Sequence, residues 1–196
     1  ASVWHAPGGL REAFITAEAT LILDPDDPLS NFWYGLRLAR SGYVIRGTAL
    51  IDHALQIDPM LPNGLRWRGN LLLMDGDTGA AEPYLRRARA AGLVITDREL
   101  ARIEAMKGNR TLAVHLWRAG SAAPFKAMGE PTTQAFAEGL YGDAAARARA
   151  IALIDAFLAT KPKQAPGLLG LVLLQMGEPA KALDVLTSTL SNDATD

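Results

Sequence analysis

The chain has 196 residues, 49% of them hydrophobic, a formal net charge of −1 from 20 basic and 21 acidic side chains, and no cysteine. That composition excludes a disordered tail, a disulfide scaffold, a cysteine-ligated metal site and a thiol nucleophile. Balanced charge gives no electrostatic reason to expect nucleic acid as a direct partner, and the longest apolar stretch, Gly167 to Gly177, is too short for the roughly 20 residues of a membrane-spanning helix.

In chain order, the start through Gly9 has neither an initiator methionine nor a signal-peptide pattern, which leaves room for a larger parent protein. Leu10 to Leu23 reads as a helix with Phe14, Ile15, Leu21 and Ile22 spread around it. Asp24-Pro25 stops it, because proline disfavours helical backbone in the preceding residue. A helix over about Leu29 to Ser41 follows, then a turn at Gly42, a second helix over about Val44 to Gln56, and a stop at Asp58-Pro59. Pro59 follows Pro25 by 34 residues, and the same offset links Trp33 to Trp67, Gly35 to Gly69, Gly42 to Gly76, Ile51 to Leu85 and Ala54 to Ala88. Glycine inside a helix is costly in propensity, so Gly35 and Gly69 are expected to serve close helix approach, against Ala54 and Ala88 respectively.

Further along, Thr96 and Glu99 have the spacing of a reciprocal helix cap, opening a helix that ends near Gly108-Asn109. Arg110 to Arg118 is the next helix, and residues 119–124 form a small-residue connector. Pro131 to Tyr141 and Ala144 to Thr160 read as a pair around Gly142-Asp143. At the C-terminus Leu169-Gly170, Leu173, Ala182 and Leu186 echo the earlier spacing. The last helix, Ala180 to Leu190, is expected to cap the array with Ala182, Leu183, Leu186 and Leu190 on its inner side. No alternating apolar run is long enough for a sheet.

These residues carry a resemblance to a family. The 34-residue helix–turn–helix unit resembles the tetratricopeptide repeat. Its pattern falls on Asn31, Tyr34, Gly35, Leu38, Gly47, Ile51 and Pro59, and again on Leu65, Arg68, Gly69, Leu72, Ala81, Leu85 and Leu93. The resemblance implies an all-α fold, a right-handed α-solenoid of about five stacked units forming one domain over residues 1–196. Its parts would be a half unit at 1–25, full units at 28–61 and 62–95, a shortened unit at 96–120, an irregular helical pair at 121–161 and a C-terminal unit with cap at 162–196.

Enzyme chemistry is not expected. Phosphate-loop, dinucleotide, serine-hydrolase and zinc-protease signatures are missing, and His5, His53 and His115 stand apart in sequence. Asp24, Asp26, Asp27, Asp75 and Asp77 fall at turns without the continuation of a calcium loop. Neither cofactor nor metal is expected. Trp33 and Trp67 occupy equivalent places, which favours packing between helices over ligand contact.

By resemblance, paired first-helix positions line a concave peptide-binding groove: Phe32 and Leu36, Arg66 and Asn70, then Arg98 and Arg102. The function so implied is a protein–protein interaction scaffold or sensing module. Its partner would be a protein or peptide, with acidic groups facing the arginines. The alternative is a regulator or enzyme-associated domain holding a small ligand between the central helices, around Phe125, Met128, Phe136 and Tyr141. Self-association is expected through the N-terminal helix. The sequence leaves the compartment open, with the cytoplasm slightly favoured over the periplasm.

Overall fold

The computed structural model describes residues 9–121, 129–160 and 167–193. Within them the fold is all-α, without a strand. In order come α1 (Gly9–Leu23), α2 (Pro28–Arg40), α3 (Val44–Ile57), α4 (Pro62–Met74), α5 (Thr78–Ala90), a 3-10 turn (Val94–Thr96), α6 (Asp97–Met106), α7 (Arg110–Ala119), α8 (Glu130–Tyr141), α9 (Ala144–Ala159), α10 (Gly167–Gln175) and α11 (Pro179–Asp193). The helices α1, α2, α3, α7, α8 and α9 lie within a residue of the places expected for them, whereas α11 runs on to Asp193. The chain divides between Thr96 and Asp97 into two compact units.

In the first unit α2 pairs with α3, α4 pairs with α5, and α1 packs on α2. The offset of 34 is kept by the elements themselves: α2 and α4 begin at Pro28 and Pro62, α3 and α5 at Val44 and Thr78. Proline at the first helical position loses no hydrogen bond, since that N–H has no partner within the helix. Asp27 caps α2 by accepting the Ser30 N–H at 2.6 Å, and Asp77 caps α5 by accepting that of Ala80 at 2.9 Å. Asp58 leaves α3 in an extended conformation (φ −121°, ψ 91°), as a residue before proline must.

The turns within pairs share one construction. After α2, Gly42 takes φ +93°, and the chain folds back so that the Tyr43 N–H donates to the Leu38 carbonyl at 2.9 Å. No atom lies within 4 Å of the place a Cβ would occupy, so the left-handed backbone, rather than space, demands glycine here. Gly76, Gly108 and Gly177 repeat the positive φ, with the N–H of Asp77, Asn109 and Glu178 donating to Leu72, Glu104 and Leu173.

Where the paired helices cross, side chains vanish. A Cβ on Gly35 would lie 2.7 Å from the Gly47 carbonyl oxygen and 2.9 Å from Leu50 Cβ; one on Gly69 would lie 2.7 Å from Leu85 Cγ and 3.3 Å from the Ala81 oxygen. The expected neighbours Ala54 and Ala88 are buried, but the crossing is made by Gly47 with Ile51 and by Ala81 with Leu85 instead. Around it the first unit packs Phe32, Leu36, Ala39, Ile51, Ala54, Leu61 and Leu71, with Leu55 and Trp67 against them.

In the second unit the pairs are α6 with α7, α8 with α9, and α10 with α11. Trp117, Phe136, Ile154, Leu169 and Leu173 dominate its core. Gly170 meets Leu186 and Ala182 much as Gly69 meets Leu85 and Ala81. The α8–α9 connection differs: it spans only Gly142 and Asp143, and Gly142 has φ −87°, outside the left-handed region.

Two local expectations are corrected. Thr96 is fully buried and its hydroxyl makes no hydrogen bond, so the reciprocal cap with Glu99 is not formed; a 3-10 turn leads into α6 instead. Among the α11 side chains described, Ala182 and Val185 are buried and Leu186 meets Gly170, whereas Leu183 is 65% exposed, because positions three apart share a face and adjacent ones do not; the Leu190 side chain lies outside those described. On α1, Ile15 and Ile22 are exposed.

Candidate functional site

The first unit holds a recess between α2 and α4. Leu36, Ala39 and Arg40 come from α2, Trp67, Leu71 and Met74 from α4, Val44 from the start of α3 and Asp75 from the residue that ends α4. The sequence builds it simply. Positions 36, 39 and 40 share one helical face, as do 67, 71 and 74. The turn at Gly42 then brings Val44 to the same end. Leu36, Ala39 and Leu71 belong to the buried core, whereas Met74 is 73% and Val44 43% exposed, so an apolar floor opens to solvent through a mouth of Met74 and Val44 with Arg40 and Asp75 beside them.

Its volume is about 180 Å³. A dry apolar cavity of roughly 150 Å³ is enough to accept a benzene ring, whereas sites for drug-sized ligands start near 300 Å³. The recess therefore matches the size of one bulky side chain. Above the Trp67 ring the Arg66 guanidinium lies 5.8 Å from the centroid, a cation–π placement that fixes the indole as a wall. Arg68, next along, points elsewhere: its Nε donates to Asp52 Oδ1 at 2.6 Å and its guanidinium lies 5.8 Å over Tyr84.

The six groove residues named from the sequence are distributed unevenly. Phe32 and Leu36 are enclosed in the first unit, at 1% and 5% exposure, and of the two Leu36 lines the recess. Phe32 instead packs edge-on to Trp33, with ring centroids 4.8 Å apart. Arg66 and Asn70 are half-buried on α4. Arg98 and Arg102 belong to the second unit; Arg98 is half-buried with its guanidinium 5.8 Å over the Trp117 ring, and Arg102 is exposed. Both arginines act electrostatically on Tyr141 of α8. Burial pushes that phenol up to about 12, against the pull of Arg98 and Arg102 and with a small push from Glu99.

Of the small-ligand set, Phe125 and Met128 lie outside the described residues, Phe136 is fully enclosed in the core, and Tyr141 is half-buried against it. Burial also lowers the pKa of Arg37 on α2. Turn aspartates act on the backbone: Asp27 and Asp77 cap helices, and Asp58 Oδ1 accepts the Met60 N–H at 3.0 Å. Among the described residues no three histidine, aspartate or glutamate side chains come together as a metal site. None of the helices described is long and apolar enough to cross a membrane.

Sequence reasoning missed Ala39, Arg40, Val44, Trp67, Leu71, Met74 and Asp75 as lining residues. The available signal was the second tryptophan. Trp67 stands one hairpin after Trp33, yet Trp33 is 47% exposed while Trp67 forms the recess wall between α2 and α4. Compared with protein-family models and with curated proteins, the chain matches none.

Proposed function

We propose that the chain is an interaction module of the tetratricopeptide type, a right-handed α-solenoid that receives a bulky apolar side chain from a partner's peptide or helix. The recess between α2 and α4 carries the reading, since its size admits one side chain and its lining is apolar apart from Arg40 and Asp75. Support for the repeat character comes from the equal offset of α2, α3 and their successors, the shared left-handed turns and the small residues at each crossing. Burying one leucine-sized anchor contributes about 1.5–3 kcal/mol. Contacts along the neighbouring first helices add the rest.

A displayed library of random twelve-residue peptides, selected against the whole chain, tests this. Enriched peptides are expected to share an apolar position and to lose about tenfold or more in affinity for Met74→Lys or Val44→Lys, which put a charge at the mouth. Met106→Lys, on α6 and comparably exposed (63% against 73% for Met74), is the control and should change nothing. Peptides that bind all three variants alike, or no enrichment at all, would refute the reading.

A further inference from the structure

This inference rests on the recess reading and concerns the chemistry of what enters it. The two walls differ in charge. Neither α2 nor α4 contains an acidic residue, and α2 carries Arg37 and Arg40 in its last turn. Arg40 is exposed and lines the recess. The last turn of α4 has no basic residue, and the helix ends on Asp75, which is also exposed and lines the recess.

A helix C-terminus bears partial negative charge on its unpaired carbonyls. At the end of α2 two guanidiniums oppose it. At the end of α4 the Asp75 carboxylate adds to it. Arg66 does not cancel this, because it lies nine residues before Asp75, roughly 13 Å along the helix. A side chain lowered into the recess therefore has a cation on one flank and an anion on the other.

We infer that the partner segment carries an acidic residue on one side of its apolar anchor and a basic residue on the other, the acid meeting Arg40 and the base meeting Asp75. A segment acidic on both sides brings like charge to Asp75, and one basic on both sides brings it to Arg40. The charges thus choose among apolar-anchored segments and set the direction in which the chosen one lies.

The test uses the whole chain and four labelled thirteen-residue peptides. All share a central tryptophan in a neutral Ala/Gln/Ser background; they differ only in their flanking charges, Glu/Lys, Lys/Glu, Glu/Glu or Lys/Lys. Fluorescence anisotropy at low salt should rank one mixed peptide about two- to tenfold above both like-charged ones, the range for two solvated ion pairs. Arg40→Glu should move the preference to Lys/Lys, and Asp75→Lys should move it to Glu/Glu. Equal affinities, or a ranking that ignores both substitutions, overturn the inference. If Met74→Lys still abolishes binding in that case, the recess remains the site and only the charge rule fails. Binding indifferent to Met74→Lys removes the recess itself, and no binding by any of the four peptides overturns the inference as well.

Discussion

Gly47 is the most exacting position in the first unit. A methyl group there would fall against the Gly35 carbonyl oxygen, 2.5 Å from the Ala39 amide nitrogen and 2.8 Å from Ala39 Cβ. Two of these neighbours are backbone and the third is fixed to it, so no rotamer change relieves the clash; α2 and α3 must separate by the better part of an ångström. Overpacking of this kind costs about 3 kcal/mol. Alanine in place of glycine in mid-helix returns about 1 kcal/mol, leaving a net loss of about 2 kcal/mol for Gly47→Ala. With a urea m-value of about 2 kcal/mol/M, the midpoint should fall by about 1 M. Gly69→Ala should cost less, because the atoms in its way are the flexible end of Leu85. Gly79→Ala is the opposite control: it is exposed, its nearest neighbour would be Asp77 Oδ1 at 3.7 Å, and it should gain up to about 1 kcal/mol. Urea unfolding followed at 222 nm, with amide exchange at Ile51 reporting the α2–α3 pair, measures all three. If Gly47→Ala is as stable as the parent chain, or follows Gly79→Ala upward, the close crossing is wrong.

Two further predictions concern titration. Hydrogen bonds from the Ser30 side chain and Ser30 N–H hold the Asp27 carboxyl below its ordinary value of 3.8, so the stability it contributes is present above that pH and is lost as the pH falls through the lowered folded-state value. Asp27→Ala should cost about 1 kcal/mol at neutral pH and progressively less in acid, whereas Asp27→Asn keeps most of the cap and flattens the dependence, both readable from urea midpoints between pH 2 and 7. Tyr141, raised from 10.0 to about 12 chiefly by burial, contributes stability that is full below pH 10 and declines as the pH rises toward 12. Absorbance titration at 295 nm should contain a late step that Tyr141→Phe removes and that Arg98→Ala or Arg102→Ala moves higher; a single step near pH 10 for every tyrosine would contradict this.

The helices were legible because their ends are written in residues with one local meaning: Asp-Pro at 24 and 58, glycine at 42, 76 and 108. Contacts within a hairpin were misassigned for a geometric reason. In an antiparallel pair, residues about equally far from the turn face each other, so the atoms nearest a Cβ on Gly35 belong to Gly47, Leu50 and Ile51 and not to Ala54, which lies 12 residues from Gly42 against 5 for Gly47. The site was harder. Phe32 and Leu36 share a helical face with the right spacing for a groove, but spacing does not tell a lining face from an enclosed one. The recess draws on α2, the start of α3 and α4 together, and no single window of sequence contains all three. Its charge asymmetry, by contrast, was in plain view as Arg40 before one turn glycine and Asp75 before the next.

The short connection between α8 and α9 has a consequence for how the helices behind each turn are phased. Counted from the turn glycine, the first two inward residues stand at the fifth and ninth places in α3 (Gly47, Ile51), α5 (Ala81, Leu85) and α7 (Ala113, Trp117). In α9 they stand at the fourth and eighth, Ala146 and Ala150, while the fifth place is the exposed Arg147. Each residue advances a helix by about 100°, so the turn acts as the index mark of a dial, and one residue lost there rotates every side chain behind it. A sequence pattern tied to the glycine goes out of step over this pair although the helices and their packing persist. By the same rule a single-residue deletion beside Gly142 would bring Arg147 to the fourth place, where Ala146 now packs.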